Sequence, residues 1–449
     1  MYKRQYFNNV EFDIPESGDN IPDILDEAKW NLDWMLTMQD PNDGGVYHKL
    51  TTLNFSGIIM PHEGTATRYV VMKTTAATLD FAAVMAQASR VFAEFETQFP
   101  GYSAQCLQAA NDAWDWAQDN SSVRYTQPSN VQTGAYGDSN LGDEFDWAAA
   151  ELYITTKNNS FYNATSLINS AISTPSWQDV KGLAWVSLAH HIDDLTSVAN
   201  KTRIRNRIIG HANSLLDKIS ASGYKVSITS FPWGSNSNVA NDGLMLVQAF
   251  KLTGDSTYLT GALSNMDYIM GKNPTGYSYV TGFGSKPPVA IHHRQSEADN
   301  VSDPVPGFVA GGPNPGQQDG CSYASDLPAL SYVDDWCSYA SNEVTINWNA
   351  PVAYLAASFE VFLKPNVVSG LYDSKNAFNV NVYPTSSKSG FTVSSNTEIS
   401  YTFLDAMGKV YKTGFASNNE VIGSDLEKGT YFIQLIKNGS SETVKVLKY

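Results

Sequence analysis

The residue types best suited to chemistry concentrate between Ser278 and Ala350. The stretch YVDDWCSYASNEVTINWNA, Tyr332 to Ala350, sets three carboxylates, Asp334, Asp335 and Glu343, among tryptophan and tyrosine rings. A carboxyl held against such rings is expected to titrate above its ordinary range, because burial disfavours the charged form, and a raised carboxyl suits a general acid. The alternative for Glu343 is an ordinary carboxylate at a helix N-terminus, held there by the helix dipole. Upstream, SYVTGFGSKPPVAIHHR gathers His292, His293 and Arg294 behind two prolines. Those donors suit sugar hydroxyls or the orientation of a carboxylate, and Gly282 and Gly284 permit an unusual backbone path toward them. Taken alone, the same residues are compatible with a surface loop. The Gly- and Pro-rich segment between the two stretches reads as a long loop lining a site.

Elements must position these residues, and most of them read as helices. IPDILDEAKWNLDWMLTMQ carries apolar residues at 21, 24, 25, 28, 32, 35 and 36, a helical period. Similar patterns recur to Leu363, the last being NEVTINWNAPVAYLAASFEVFL, while strand-like alternation is almost absent. The expectation is a mainly α architecture, an α/α toroid or bundle. From Phe378 the character changes to short alternating runs such as FNVNVYP and GTYFIQLI, in which Tyr431, Ile433 and Leu435 fall on one face. That is a small all-β sandwich, and no cluster of titratable groups gives it chemistry.

The chain has 449 residues, 42% hydrophobic, enough for more than one domain with substantial cores. Its net charge of −16 makes nucleic acid and anionic membranes poor partners and favours a neutral substrate. The 24 Tyr, 20 Phe and 10 Trp serve core packing and would also suit a cleft that stacks sugar rings. No run of about 18 apolar residues is long enough to span a membrane. Cys106, Cys321 and Cys337 form no metal-ligand spacing; Cys321 and Cys337 are either a bridge or two buried thiols. The opening residues, MYKRQ, read as a translated sequencing-adapter end, so the natural chain is expected to begin earlier.

SYVTGFGSKPPVAIHHR and YVDDWCSYASNEVTINWNA resemble the two signatures of glycoside hydrolase family 9, cellulases with an (α/α)6 barrel. The first agrees at Ser278, Val280, Thr281, Gly284, Lys286, Ile291, His292 and Arg294, the second at Tyr332, Asp334, Tyr339, Glu343, Thr345, Asn349 and Ala350. The resemblance extends over IPESGDNIPDILDEAKWNLDWMLTMQ and GGVYHKLTTLNFSG, from about Phe12 to Leu363, and is to the subgroup whose barrel follows an immunoglobulin-like domain. It implies a catalytic domain over residues 6–363, a linker at 364–377, and inverting hydrolysis of β-1,4-glucosidic bonds in cellulose or related β-glucans. Position by position it implies Glu343 as the general acid and Asp334 as a supporting, substrate-binding carboxylate. His292 and Arg294 would hold the sugar near the scissile bond. His48, Trp233, Tyr339 and Trp185 are the further substrate-binding candidates. A structural Ca²⁺ is implied at Ser139, Asn140, Asp143, Glu144 and Asp179, hard oxygen ligands that suit it; the alternative is that Asp143 and Glu144 simply open a helix.

The family draws its base from an Asp-Ala-Gly-Asp motif that appears nowhere in this sequence. The resemblance therefore implies that the base, the first barrel helix and a signal peptide belong to an upstream segment, and that without them apolar faces of neighbouring helices stand exposed. Residues 378–449 resemble the type IX secretion sorting domain, through VYPTSSKSGFTV, FLDAMGKV and LEKGTYFIQLIKNG, although YPTSS departs from the usual Tyr-Pro-Asn-Pro. Partners are then a β-glucan polysaccharide or cello-oligosaccharide and the secretion machinery, and the location is outside the cell or on its surface. Two other readings are a non-catalytic carbohydrate-binding protein on a decayed barrel and a family member acting on another glucan, xyloglucan among them.

Overall fold

Helix follows helix through the first four-fifths of the computed structural model, which describes residues 14–167, 169–363, 380–395, 397–405, 408–437 and 440–449. The helices are α1 (Asp23–Leu36), α2 (Thr75–Phe92), α3 (Tyr102–Asp119), α4 (Gly142–Thr156), α5 (Asn159–Ala164), α6 (Lys181–His190), α7 (Lys201–Ala221), α8 (Ser235–Thr253), α9 (Ser256–Ile269), α10 (Arg294–Ala298), α11 (Tyr339–Asn342) and α12 (Ile346–Phe362). A two-stranded ribbon pairs β1 (Leu50–Thr51) with β2 (Tyr69–Val70).

Two apolar clusters form the interior, one from α1 to α4 and one from α4 to α12. Helix α4 serves both. Ala148, Ala149 and Leu152 face the first cluster; Ala150, Tyr153 and Ile154 face the second. A helix apolar on nearly every side must be buried on nearly every side. Its one fully buried acid outside the first turns, Glu151, is paired with Arg90 of α2 at 2.5 Å and accepts from the Trp147 indole at 3.3 Å. On α1 only part of the apolar surface is covered. Leu25 and Leu32 are buried, whereas Trp30 is 82% exposed and Trp34, one turn on, also faces outward.

The C-terminal helix begins later than the sequence pattern suggests. Glu343 to Thr345 are non-helical, with Glu343 at φ −68°, ψ 155°, and Thr345 stands at the N-cap position of α12 without a side-chain cap hydrogen bond. Main-chain pairing explains it: Glu343 bridges His292 and Val344 bridges Ala310. The reading of Glu343 as a helix N-terminal carboxylate is thereby corrected.

The chain divides into compact units at Leu363; the linker expected at 364–377 lies outside the described residues. In the C-terminal unit, β3 (Val380–Tyr383), β5 (Phe391–Ser395) and β8 (Glu420–Ile422) form a three-stranded sheet in the order β3-β5-β8. β4 (Ser386–Ser387), β6 (Ile399–Leu404), β7 (Val410–Ala416), β9 (Gly429–Lys437) and β10 (Ser440–Lys448) form a five-stranded sheet in the order β4-β10-β9-β6-β7. Pairing is antiparallel except between β4 and β10. Period-two burial puts Phe391 and Val393 on one inner face and Tyr401, Phe403, Ile433 and Leu435 on the other.

Candidate active site

Glu343 is positioned by backbone before any side chain acts on it. Its carbonyl accepts from the Gly311 N–H at 2.9 Å, and the neighbouring Asn342 carbonyl accepts from the His292 N–H at 2.9 Å. The loop that brings His292 there depends on glycine. Gly284 has φ +84°, and a Cβ on it would stand 2.5 Å from the Ser278 Cβ, so only glycine fits. The carboxyl of Glu343 titrates above its ordinary range because it is largely buried. A hydrogen bond from the Trp233 side chain and the Arg294 charge oppose that shift.

Asp334 is held by three donors of the protein. Its two oxygens accept from the Val289 N–H at 2.8 Å, the Ala290 N–H at 2.9 Å and the Asn342 side-chain amide at 3.0 Å. It therefore staples the Pro287–Ala290 turn to α11, the helix that ends one residue before Glu343. His292 donates from Nδ1 to the Trp336 carbonyl at 2.6 Å; the neutral ring then presents Nε2 as an acceptor. Its ring lies against Trp336 and Tyr339. Arg294 opens α10 and donates from Nε to the Ser56 carbonyl at 2.9 Å.

Trp233 and Tyr339 stack with centroids 5.7 Å apart and a 29° interplanar angle, and Trp233 remains 41% exposed. Flat aromatic faces open to water beside a half-buried carboxyl suit the apolar face of a pyranose. The Tyr339 hydroxyl donates to the Gln318 carbonyl at 3.0 Å. Cys321 and Cys337 are disulfide-bonded, closing the segment that carries Asp334 and Trp336. Asp319, two residues before Cys321, accepts from the Ala340 N–H at 3.0 Å and so fixes the start of α11.

Two candidates behave differently from the sequence-based expectation. Trp185 is 1% exposed and sits within the larger apolar cluster; it is a core residue and stacks no sugar. His48 stacks on Tyr125 at 4.0 Å, donates from Nε2 to the Ala135 carbonyl at 2.8 Å and has Thr74 Oγ1 at 3.2 Å from Nδ1. Both ring nitrogens are thus engaged by protein, and burial lowers the pKa of the ring. The loop it holds carries a residue the motifs did not single out. Tyr136 adopts φ +52° and stands 66% exposed; its hydroxyl pKa is raised by desolvation and by the Glu343 charge. Gly134 makes that conformation possible, since a Cβ there would lie 2.7 Å from the Tyr136 ring. The Gly-x-Tyr-Gly pattern at 134–137 was the signal available in the sequence.

The acidic residues around the start of α4 form a second group. Asp143 accepts from the Asn140 side-chain amide at 2.8 Å and the Val180 N–H at 2.9 Å. Asp179 accepts from the Lys181 N–H at 3.2 Å, and the Ser139 carbonyl accepts from Arg124 Nε at 3.0 Å. The Glu144 carboxyl is buried, its Oε2 meets no hydrogen-bond donor, and it is pushed up to about 9 by burial and then by the Asp80 and Asp143 charges. Hard oxygen donors with an orphaned buried carboxylate suit a divalent cation, which would relieve their repulsion. Among the described residues the one group of three acidic, Cys or His ligand atoms converging within 4.8 Å is Cys321, Asp335 and Cys337, and its sulfurs are already bonded to each other.

Sequence comparison matches residues 3–356 to the model described as glycosyl hydrolase family 9, and residues 381–449 to that of the secretion system C-terminal sorting domain. A xyloglucan-specific endo-β-1,4-glucanase of Bacteroides ovatus is 43% identical over 372 residues, which are 79% of this chain and 63% of that protein. Endoglucanase D of Acetivibrio thermocellus is 33% identical over 79% of this chain and 56% of its own length. The chain thus spans less than two-thirds of the length of these relatives. A solved family 9 structure from Bacteroides ovatus superposes with a TM-score of 0.75 at 40% identity, covering 81% of this chain and 68% of that one. The helical unit accordingly has the (α/α)6 barrel fold. The C-terminal sorting domain points to secretion or the cell surface, and among the described residues no helix is long and apolar enough to cross a membrane.

Proposed function

The chain belongs to glycosyl hydrolase family 9, and from that premise we propose that it carries the acid half of an inverting β-1,4-glucanase site. The observation that supports this most directly is Glu343: half-buried, raised in pKa, and flanked by Trp233 and Arg294. In that reading Glu343 protonates the departing glycosidic oxygen while Trp233 and Tyr339 stack the glucosyl rings. His292 and Arg294 hold hydroxyls near the scissile bond, and Asp334 acts by fixing the Pro287–Ala290 turn against α11. Inversion also requires a second carboxylate about 6.5–9.5 Å from the acid, with a water between them. None of the described residues is assigned that part, and Asp334 is held by three protein donors.

Substrate assignment follows the same chemistry. A neutral, stacking cleft on a chain of net charge −16 fits uncharged β-glucan, and the 43%-identical relative described as xyloglucan-specific favours a branched glucan over plain cellulose. Xyloglucan and carboxymethyl-cellulose hydrolysis, read as new reducing ends, tests the activity. In a form of the protein that also carries the second carboxylate, Glu343→Gln is expected to lower kcat on cello-oligosaccharides by about 10²–10⁴-fold while leaving their binding intact. Unchanged turnover in that variant overturns the assignment of the acid. A calcium ion at Asp143, Glu144 and Asp179, with Ser139 and Asn140, would neutralise the acidic group and brace the start of α4.

A further inference from the structure

Phe55 is the least explained aromatic side chain near the site. It stands 58% exposed in a loop, Asn54 to Ile58, in which every residue is exposed. An apolar ring in such a loop has nothing of its own to bury against, yet this loop is tied down at both ends. The Leu53 carbonyl accepts from the Gln132 N–H at 2.7 Å, which joins it to the segment bearing Tyr136. The Ser56 carbonyl accepts from Arg294 Nε at 2.9 Å, and the Arg294 guanidinium lies 5.4 Å from the Phe55 ring centroid. Arg294 and Tyr136 both interact electrostatically with Glu343. Phe55 is therefore linked to the acid through Arg294, and its loop is tied through Gln132 to the segment that bears Tyr136; the arginine beside its ring is one that would hold substrate.

From this arrangement we infer that Phe55 is a sugar platform, a substrate-contact residue that stacks a pyranose of a bound β-glucan chain and extends the cleft beyond Trp233 and Tyr339. The inference rests on the reading of the cleft as a β-glucan site. Arg294 holds the loop in place, so the ring face is ordered before substrate arrives and little side-chain freedom is lost on binding. An apolar face beside a guanidinium matches a pyranose, whose axial hydrogens are apolar and whose rim hydroxyls accept and donate. A charged or wholly apolar ligand would match only half of that surface.

Binding of xyloglucan and cellohexaose to the full chain, by calorimetry and affinity electrophoresis, tests it. Phe55→Ala is expected to weaken affinity about 2- to 12-fold, the range a single aromatic stack supplies. Phe55→Leu keeps apolar bulk without a flat face and is expected to weaken binding equally, whereas Phe55→Trp restores it. Leucine binding as well as phenylalanine overturns the inference, as does wild-type affinity in Phe55→Ala. Trp233→Ala is the control. Loss of affinity there but not in Phe55→Ala removes only the platform, and no loss in either removes the reading of the cleft itself. Thermal melts of each variant identify any that fails to fold, and for such a position the Leu and Trp variants decide.

Discussion

Glu343 owes its raised pKa to burial, and Trp233 opposes that burial by donating a hydrogen bond to the ionised form. Removing the donor while keeping the ring therefore has a definite sign. In Trp233→Phe the charged carboxylate loses stabilisation, the pKa rises further, and the protonated acid persists to higher pH. The alkaline limb of kcat/KM is expected to move upward, measured as a pH–rate profile; a downward shift would contradict Glu343 as the acid. Much at this scale was legible in the sequence. Glu343, Asp334 and Tyr339 lie within a dozen residues of one another, so their proximity is imposed by local chain geometry. Phe55 and the burial of Trp185 were not legible, because each depends on which distant segment lies against it; for Tyr136 the local Gly-x-Tyr-Gly pattern was present but not its proximity to Glu343.

At the scale of elements, α4 is the member on which the barrel unit turns, since it contributes to both apolar clusters. Its buried Glu151 is neutralised by Arg90 of α2. Arg90→Ala strands that carboxylate, and a loss of about 3–5 kcal/mol is expected in urea denaturation. The first turn of α4 gives a pH-dependent counterpart. Glu144 has an ordinary carboxyl value of 4.5 and is pushed up to about 9 in the folded chain. Between those values the unfolded chain binds fewer protons than the folded one, so stability is full below about 4.5 and falls as pH rises toward about 9. Calcium binding at Glu144 would substitute for the proton. Denaturation curves with calcium are therefore expected to lose that slope and to gain about 2.7 kcal/mol at a hundredfold excess over Kd, and EDTA to restore it. A slope indifferent to calcium would count against the metal site.

At the scale of the molecule, the apolar clusters among the described residues divide as the chain does, two in residues up to Leu363 and one in the C-terminal sandwich. Separate cores predict separate cooperative transitions. Calorimetry of the full chain is expected to show more than one, and cleavage after Leu363 to remove the sandwich transition without moving the other. A single shared transition would contradict that independence. On α1 the apolar face was legible as a helical period, but its coverage was not. Periodicity identifies a face, whereas burial depends on what packs against it, and Trp30 at 82% exposure shows the difference.

By itself the sequence determined what nearest-neighbour physics controls: helices in succession, then alternating strands, and two signature stretches whose spacing keeps their carboxylates and histidines close. Only the tertiary structure decided the environment of those groups. It placed Glu343 on extended backbone ahead of α12 because Val344 and Glu343 pair with Ala310 and His292. It sent Trp185 into the core, engaged both nitrogens of His48, and brought Ser56 to Arg294 across more than two hundred residues. Burial, pKa and the partners of a side chain are sums over everything that surrounds it. Most of those surroundings are remote in sequence, so no local pattern specifies them.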